Sequence, residues 1–388
     1  MSPMEDRSAK PVPLPEEFND DLLLSEQDRK WASDTFPTLI DVLDFPQLRD
    51  DFRDYDEKAN QSKKRLRRAG LATIALGVIA LLGASTEPLF PQPSSIVAYI
   101  VFGASAFAGF LSIVISAFYV LRSPYKNVWL EARLMTERLR QFQFQILVFH
   151  IPTILSCASQ PDFASRFGKA RDRWYSTFKM EHTEHLSAML KLVLDDDADE
   201  QYQLHVADAP ENTPESGPVM DEIFAAYKLL RIKHQMLYAN YKLGGDGFDF
   251  PRRQVSILSG ISLICILFVF FAHFAVSISV VSQWLPQWLL FQTVKDVLTY
   301  VLGVPLHVLI IWTVIFALAA RTFEEGLQPT REVERYTAYR ARLGHLLHHF
   351  DGASNLSERI LLMTQVEQLI YQEMREFLKT NYKAQFVL

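Results

Sequence analysis

The hydrophobic pattern divides the chain into four long apolar segments and the mixed sequences between them. The apolar segments cover roughly residues 71–84, 96–121, 255–281 and 297–320. Three of them exceed the ~18–20 residues that a helix needs to cross a bilayer core of about 30 Å, and neighbouring apolar residues extend the first to about 68–90. The ranges 71–84, 96–121, 255–281 and 297–320 contain no Asp, Glu, Lys or Arg, and Lys295 and Asp296 lie just before the last of them. A buried soluble helix rarely runs so long without a polar face. The pattern predicts four transmembrane helices.

The remaining sequence has the periodicity of amphipathic helices. Leu48, Phe52, Tyr55 and Ala59 form one apolar stripe on a helix that continues into the first span. Further helices are predicted at about 122–149, 171–194, 219–243 and 356–379, and one within DLLLSEQDRKWASDTF near the N-terminus. The expected fold class is an all-α membrane protein. Its four transmembrane helices form two hairpins, and its long cytosolic helices form a helical bundle.

A break in composition separates two halves. The stretch DDDADEQYQLHVADAPENTPESGP is acidic, contains three prolines and has no periodicity, so residues 196–217 are predicted to be a linker. Residues 1–35 are predicted to be a flexible cytosolic N-terminus. Residues 36–195 and 218–388 each contain a membrane hairpin, with spans at about 68–90 and 96–121, and at about 255–281 and 297–320. The shared order of elements predicts a diverged tandem repeat.

Basic residues predict the orientation in the membrane. They lie beside the start of the first and third spans and the end of the second and fourth: Lys63, Lys64, Arg65, Arg67, Arg68, Arg122, Lys126, Arg252, Arg253 and Arg321. The connector STEPLFPQPSS has no Lys or Arg, and the other connector has only Lys295. The N-terminus lacks the features of a signal peptide. The positive-inside rule then places both termini in the cytoplasm.

The segment RSPYKNVWLEARLMTERLRQF follows the second span and is densely charged. Arg133 and Glu137 share a helix face, as do Glu137 and Arg140. Trp129 lies one turn before Arg133, within reach of a cation–π contact. Two interpretations are open. The segment is either a solvated helix with weak surface ion pairs, or a stalk that packs on other cytosolic helices and couples them to the membrane.

Small residues recur four apart in the first hairpin. The pairs are Thr73 with Gly77, Ala80 with Ala84, Ala104 with Ala108, and Ser105 with Gly109. This spacing lets helices approach closely in lipid, where packing drives association. It indicates packing within the hairpin, assembly between subunits, or both.

His273 and His307 are the ionisable side chains deep inside the predicted spans. An intramembrane ionisable group is a candidate functional residue, here one that lines a path for ions or solutes. The simpler interpretation is a neutral histidine that forms a hydrogen bond with a neighbouring helix. The first hairpin has no counterpart, which argues against a proton relay in both halves.

The remaining chemistry-bearing residues define no catalytic or metal site. The two cysteines lack a CxxC partner, EHTEH is not HExxH, and GGDG lacks a Walker lysine. His345, His348 and His349 lack convergent further ligands. The net charge of −6 comes from segments of mixed sign, which gives no argument for nucleic-acid binding. We therefore expect no enzyme activity, no cofactor and no metal.

The charged segment RSPYKNVWLEARLMTERLRQF, which we call the exit segment because it follows the second span, resembles that of a known family. Trp129, Arg133, Glu137 and Arg140 are similar to the charged helix that follows the second span in the SLATT family, the SMODS- and SLOG-associating two-transmembrane effector domains of bacterial conflict systems. Glu334, Arg335 and Tyr336 resemble a second version that lacks the tryptophan. The resemblance implies two diverged copies in the bacterial inner membrane. It also implies an effector that forms pores or disrupts the membrane when an associated nucleotide-sensing module signals.

These observations leave three functions open. The leading one is a non-enzymatic inner-membrane effector in antiphage defence, which acts as a homo-oligomer in the lipid bilayer and is activated by a cytosolic partner or signal. The second is a membrane-anchored scaffold or sensor that recruits a cytosolic partner. The third is an ion or small-solute channel or transporter in which His273 and His307 line the path.

Overall fold

A computed structural model describes residues 18–90, 95–121, 124–158, 162–195, 217–245, 247–282 and 303–384. All regular structure in these ranges is helical, which confirms the all-α class. The α-helices in the first half are α1 (Glu26–Thr35), α2 (Ile40–Leu43), α3 (Pro46–Ala84), α4 (Ile96–Ile115), α5 (Pro124–Phe149), α6 (Ile151–Ala158), α7 (Phe163–Thr183) and α8 (Leu186–Leu194). Those in the second half are α9 (Pro218–Ala226), α10 (His234–Gly244), α11 (Pro251–Ser282), α12 (Val304–Leu327), α13 (Pro329–Gly352) and α14 (Leu356–Lys383).

Four helical segments are long and apolar enough to cross a membrane, as the sequence predicts. They lie within Ile40–Leu89, Ile96–Tyr119, Pro251–Ser277 and Val304–Gly352. The first residues of the predicted fourth span, 297–302, are outside the described residues. So are residues 1–17, residues 283–296 of the connector before that span, and the predicted linker apart from Gly217.

The chain forms two compact units that each draw on both sequence halves. Unit 1 takes its described residues from 1–61, 128–245 and 333–382, and unit 2 takes its own from 62–127, 246–332 and 383–388. The sequence analysis instead divided the chain in order, at the acidic linker. Helices α3 and α5 each contribute residues to both units.

Unit 1 is built around a large apolar core. Leu48, Phe52 and Ala59 of the predicted stripe are all buried in it. The short helical turn before α1 also contributes, because Leu22 and Leu23 are almost fully enclosed. Within the predicted N-terminal segment 1–35, α1 lies in the stretch DLLLSEQDRKWASDTF, where a helix is predicted, and it has a capping box formed by Ser25 and Asp28.

Unit 2 contains the apolar helices. The part of α3 in this unit packs on α4, where the Ser112 hydroxyl donates to the Thr73 carbonyl at 2.9 Å. Trp312 of α12 donates its indole N–H to the Ser85 hydroxyl at 2.9 Å. Large apolar side chains such as Ile113 and Ile264 are exposed on the outer faces of these helices. Such faces are typical of helices surrounded by lipid.

Candidate functional site

Helix α5 begins just after the second apolar segment and enters the core of unit 1. Leu130, Leu134, Leu139 and Leu147 are fully buried along it. Trp129 is also buried, and it packs edge-on against the ring of Phe377 with 6.2 Å between ring centroids. The structure thus places the charged exit helix among other helices of unit 1.

The charged residues of α5 form a partly buried ion-pair network. An Nη2 atom of Arg133 lies 2.5 Å from Glu137 Oε1, and its Nη1 atom lies 3.6 Å from Asp56 Oδ1 on α3. Arg140 donates from Nη1 to both carboxylate oxygens of Glu137, at 3.3 Å each. The Glu137 side chain is 13% exposed and the Arg140 side chain 6%. Glu137 therefore lies between two guanidinium groups.

Asn19, Asp20 and Asp21, among the first described residues, extend this network. Arg140 donates from Nη2 to Asn19 Oδ1 at 2.5 Å, and its Nε lies 3.1 Å from Asp21 Oδ2. His234 of α10 lies with Nε2 at 2.8 Å from Asp20 Oδ1 and with Nδ1 at 3.8 Å from Asp21 Oδ2. Both aspartates are buried. Ion pairs and hydrogen bonds thus connect the first described residues to α5 and α10.

The charged segment that follows the fourth span, at the start of α13, contributes to the same group of side chains. Arg335 of α13 lies with Nη1 at 2.5 Å from Glu373 Oε1 on α14. Its guanidinium group lies over the ring of Phe377 at 5.1 Å, and that of Arg133 lies over the same ring at 5.9 Å. Tyr336 is buried beside them, whereas Glu334 is exposed. The structure thus brings together residues that the sequence analysis identified separately in the two halves.

These side chains surround one cavity of about 300 Å³ within unit 1. Its charged lining comes from three arginines and three carboxylates, namely Arg133, Arg140, Arg335, Asp56, Glu137 and Glu373. Phe18, His234 and Tyr238 close other sides of it. We take this cavity, with its lining, as the candidate functional site.

The two histidines of the predicted spans, His273 and His307, lie elsewhere. Both are exposed on their helices, and each Nδ1 approaches a carbonyl oxygen of its own helix or cap. The distances are 2.9 Å from His273 to Val269 and 3.0 Å from His307 to Gly303. This is local hydrogen bonding and carries no information about a transport path.

The small residues of the first hairpin have different environments. Gly77, Ser105 and Ala108 are buried, Gly109 is half-buried and Ala104 is exposed. A Cβ atom added at Gly109 would lie 3.3 Å from Ala80 Cβ, so α3 and α4 approach closely there. A Cβ atom added at Gly83 would overlap Ser105 of α4, so the two helices are also close there. Gly83 lies outside the predicted four-residue pairs.

The sequence analysis also missed the fully buried pair Arg231 and Glu367. They form two parallel contacts of 2.8 Å, and the Tyr227 hydroxyl lies 2.9 Å from Glu367. A π-helical turn, Tyr227–Lys233, carries Arg231. Arg231 and Glu367 are 136 residues apart in the sequence, so no spacing rule predicts their contact.

Among the described residues no group of three or more histidine, cysteine, aspartate or glutamate side chains is placed to hold a metal ion.

The network predicts a pH dependence of stability. Burial alone would raise the pKa of Glu137, but Arg133 and Arg140 outweigh it and hold the pKa below the ordinary value of 4.5. A carboxyl group whose pKa is lower in the folded chain stabilises the fold above its unfolded-state pKa. It loses that contribution as the pH falls through the folded-state pKa.

We therefore expect the stability difference between the wild-type chain and Glu137→Gln to be largest above pH 4.5 and to shrink below it. Urea unfolding in detergent at a series of pH values, followed by tryptophan fluorescence, measures this difference. Glu334→Gln, at an exposed position of α13, is the matched control. A difference for Glu137→Gln that stays constant with pH would contradict the prediction.

Among known families, the one described as a protein of unknown function, DUF4231, matches residues 50–151 of this chain. The matched range begins within α3 and ends at the first residue of α6, so it includes all of α4 and α5. It therefore contains Arg133, Glu137 and Arg140 of the candidate site but not Arg335. No curated protein and no solved structure matches the chain.

Proposed function

We propose that this chain is a non-enzymatic integral membrane effector of the bacterial inner membrane. Unit 1 receives a signal in the cytoplasm, and the apolar helices of unit 2 then permeabilise the membrane. The observation that carries the proposal is the position of the ion-pair network. It is centred on α5, the helix that begins directly after the second apolar segment.

The physical basis is that a buried ion-pair network has discrete arrangements. Removing or re-pairing one charge inside a protein is costly, so such a network changes between well-defined states. Helices α3 and α5 each contain residues of unit 1 and residues of unit 2. A rearrangement around Glu137 is therefore transmitted along the continuous helices α3 and α5 to the apolar helices. The resemblance of this segment to SLATT exit helices supports the same function in antiphage defence.

The proposed active form is a homo-oligomer. The apolar helices carry few polar side chains, so one chain offers too little polar surface to line an aqueous pore. Several copies are needed, with their hairpins ordered or rearranged together. The positive-inside pattern supports a multi-pass orientation with both termini in the cytoplasm.

Membrane potential in living bacteria tests the proposal. The chain is expressed at graded levels, with and without phage infection, while a potential-sensitive dye and a membrane-impermeant DNA dye are followed. We expect the potential to collapse upon infection, or at high expression without infection. An unchanged potential at every level and during infection would refute the proposal.

A chimaera separates this function from the alternative of a membrane-anchored sensor that recruits a cytosolic partner. The polar cavity of unit 1 favours that alternative as the second candidate. In the chimaera, unrelated apolar helices replace the four apolar segments. A sensor or scaffold keeps its function after this replacement, whereas an effector loses it.

A further inference from the structure

The cavity in unit 1 has the size of a small-molecule site. Its volume of about 300 Å³ is at the lower end of the range for ligand pockets. A space of this size accommodates a small ligand such as an α-amino acid.

The charges that line the cavity are balanced. Three guanidinium groups face three carboxylates, and the contacts Arg133–Glu137, Arg133–Asp56, Arg140–Glu137 and Arg335–Glu373 pair them. Behind this lining, Asp20 and Asp21 lie against His234 and Arg140. An anion alone would be repelled by these carboxylates, because no surplus of guanidinium groups compensates them. A simple cation would likewise be repelled by the arginines. A ligand that carries one charge of each sign preserves the balance.

The same side chains offer complementary partners for such a ligand. A guanidinium group presents a planar fork that binds a carboxylate through two parallel hydrogen bonds. The Glu137, Glu373 and Asp56 carboxylates accept hydrogen bonds from an ammonium group. Ile370, Met374 and the Phe377 ring supply an apolar wall for a side chain.

We infer that the cavity between α3, α5, α10, α13 and α14 binds a small zwitterion of the α-amino acid class. Arg335 and Arg133, whose guanidinium groups lie 5.1 Å and 5.9 Å from the Phe377 ring centre, hold its carboxylate, and Glu137 and Glu373 hold its ammonium group. The site is a candidate for the signal input of the proposed effector. Binding itself is measured on purified protein and does not depend on that function.

The test uses the full chain purified in detergent, titrated calorimetrically with each of the standard L-amino acids. We expect at least one of them to bind saturably. Its amide, which lacks the carboxylate, and its N-acetyl derivative, which lacks the ammonium group, should each bind about 10- to 100-fold more weakly. AMP and inorganic phosphate are the competing probes.

Two matched double variants locate the site. Arg335→Gln with Glu373→Gln removes one charge of each sign from the lining and should abolish measurable binding. Lys228→Gln with Asp351→Asn removes another ion pair of unit 1 that does not line the cavity, and should leave binding unchanged. If the first variant does not fold, the amide and N-acetyl derivatives on the wild-type chain decide the result.

Three results would overturn the inference. They are the absence of binding by every amino acid at millimolar concentration, equal binding of the amide and N-acetyl derivatives, and binding of AMP or phosphate instead. Binding with an unaffected membrane potential would refute the proposed function and leave this site in place. Loss of membrane potential without amino-acid binding would refute this site and leave the proposed function in place.

Discussion

Replacing Arg231 by methionine is expected to lower the free energy of unfolding of the chain by about 3–5 kcal/mol, because it leaves a buried carboxylate without its counter-charge. Arg231 and Glu367 are both fully enclosed, and their fork-shaped contact has two distances of 2.8 Å. The guanidinium group also lies 4.7 Å from the centre of the Phe144 ring. After the substitution Glu367 keeps the Tyr227 hydroxyl as a donor, which is too little to stabilise a buried charge.

The double variant Arg231→Met with Glu367→Met is expected to recover most of that loss, because two apolar side chains leave no buried charge. Lys228→Gln is the matched control, since its partner Asp351 is half exposed and such a pair contributes about 1 kcal/mol or less. Urea unfolding in mild detergent, followed by tryptophan fluorescence, measures all three variants. An Arg231→Met chain as stable as the wild type would show that this pair does not exist in the folded protein.

The helices and their apolar faces could be predicted because their signals are local. The four apolar segments and the stripe through Leu48, Phe52 and Ala59 depend only on spacing within one helix, and the structure contains both. The docking of residues 18–24 could not be predicted. Asp20 and Asp21 sit in an acidic, polar stretch, and their partners Arg140 and His234 are more than a hundred residues away. No periodicity encodes such a contact.

The candidate site was predictable in its parts but not as a site. The spacing of Arg133, Glu137 and Arg140 predicts their mutual ion pairs, which the structure contains. That Arg335 and Tyr336 would share a cavity with them depends on how α13 and α14 pack against α5. This packing is set by the shapes of many apolar side chains together. Spacing and the family resemblance therefore identified part of the lining. They did not identify Asp56 and Glu373, which only the tertiary arrangement places beside the arginines.

The second large effect is expected at Gly83, where α3 lies against Ser105 of α4. A Cβ atom there would lie 1.7 Å from Ser105 Oγ and 2.9 Å from Ser105 Cβ. Rotation of the Ser105 side chain does not remove the second overlap, and it breaks the hydrogen bond from Ser105 to the Val101 carbonyl. The helices must therefore separate, and Gly83→Ala should cost about 1–3 kcal/mol. Thermal denaturation of the full chain in detergent, followed by size-exclusion chromatography, measures the loss.

Two further variants make this expectation specific to the hairpin. Gly103→Ala on α4 adds the same atom where no atom lies within 4 Å, so it should be neutral or stabilise the helix by up to about 1 kcal/mol. Adding Ser105→Gly to Gly83→Ala removes both overlapping atoms and should restore stability. If Gly83→Ala alone is as stable as Gly103→Ala, α3 and α4 do not pack through this face. Ser105 and its small neighbours would then be free for contacts between subunits.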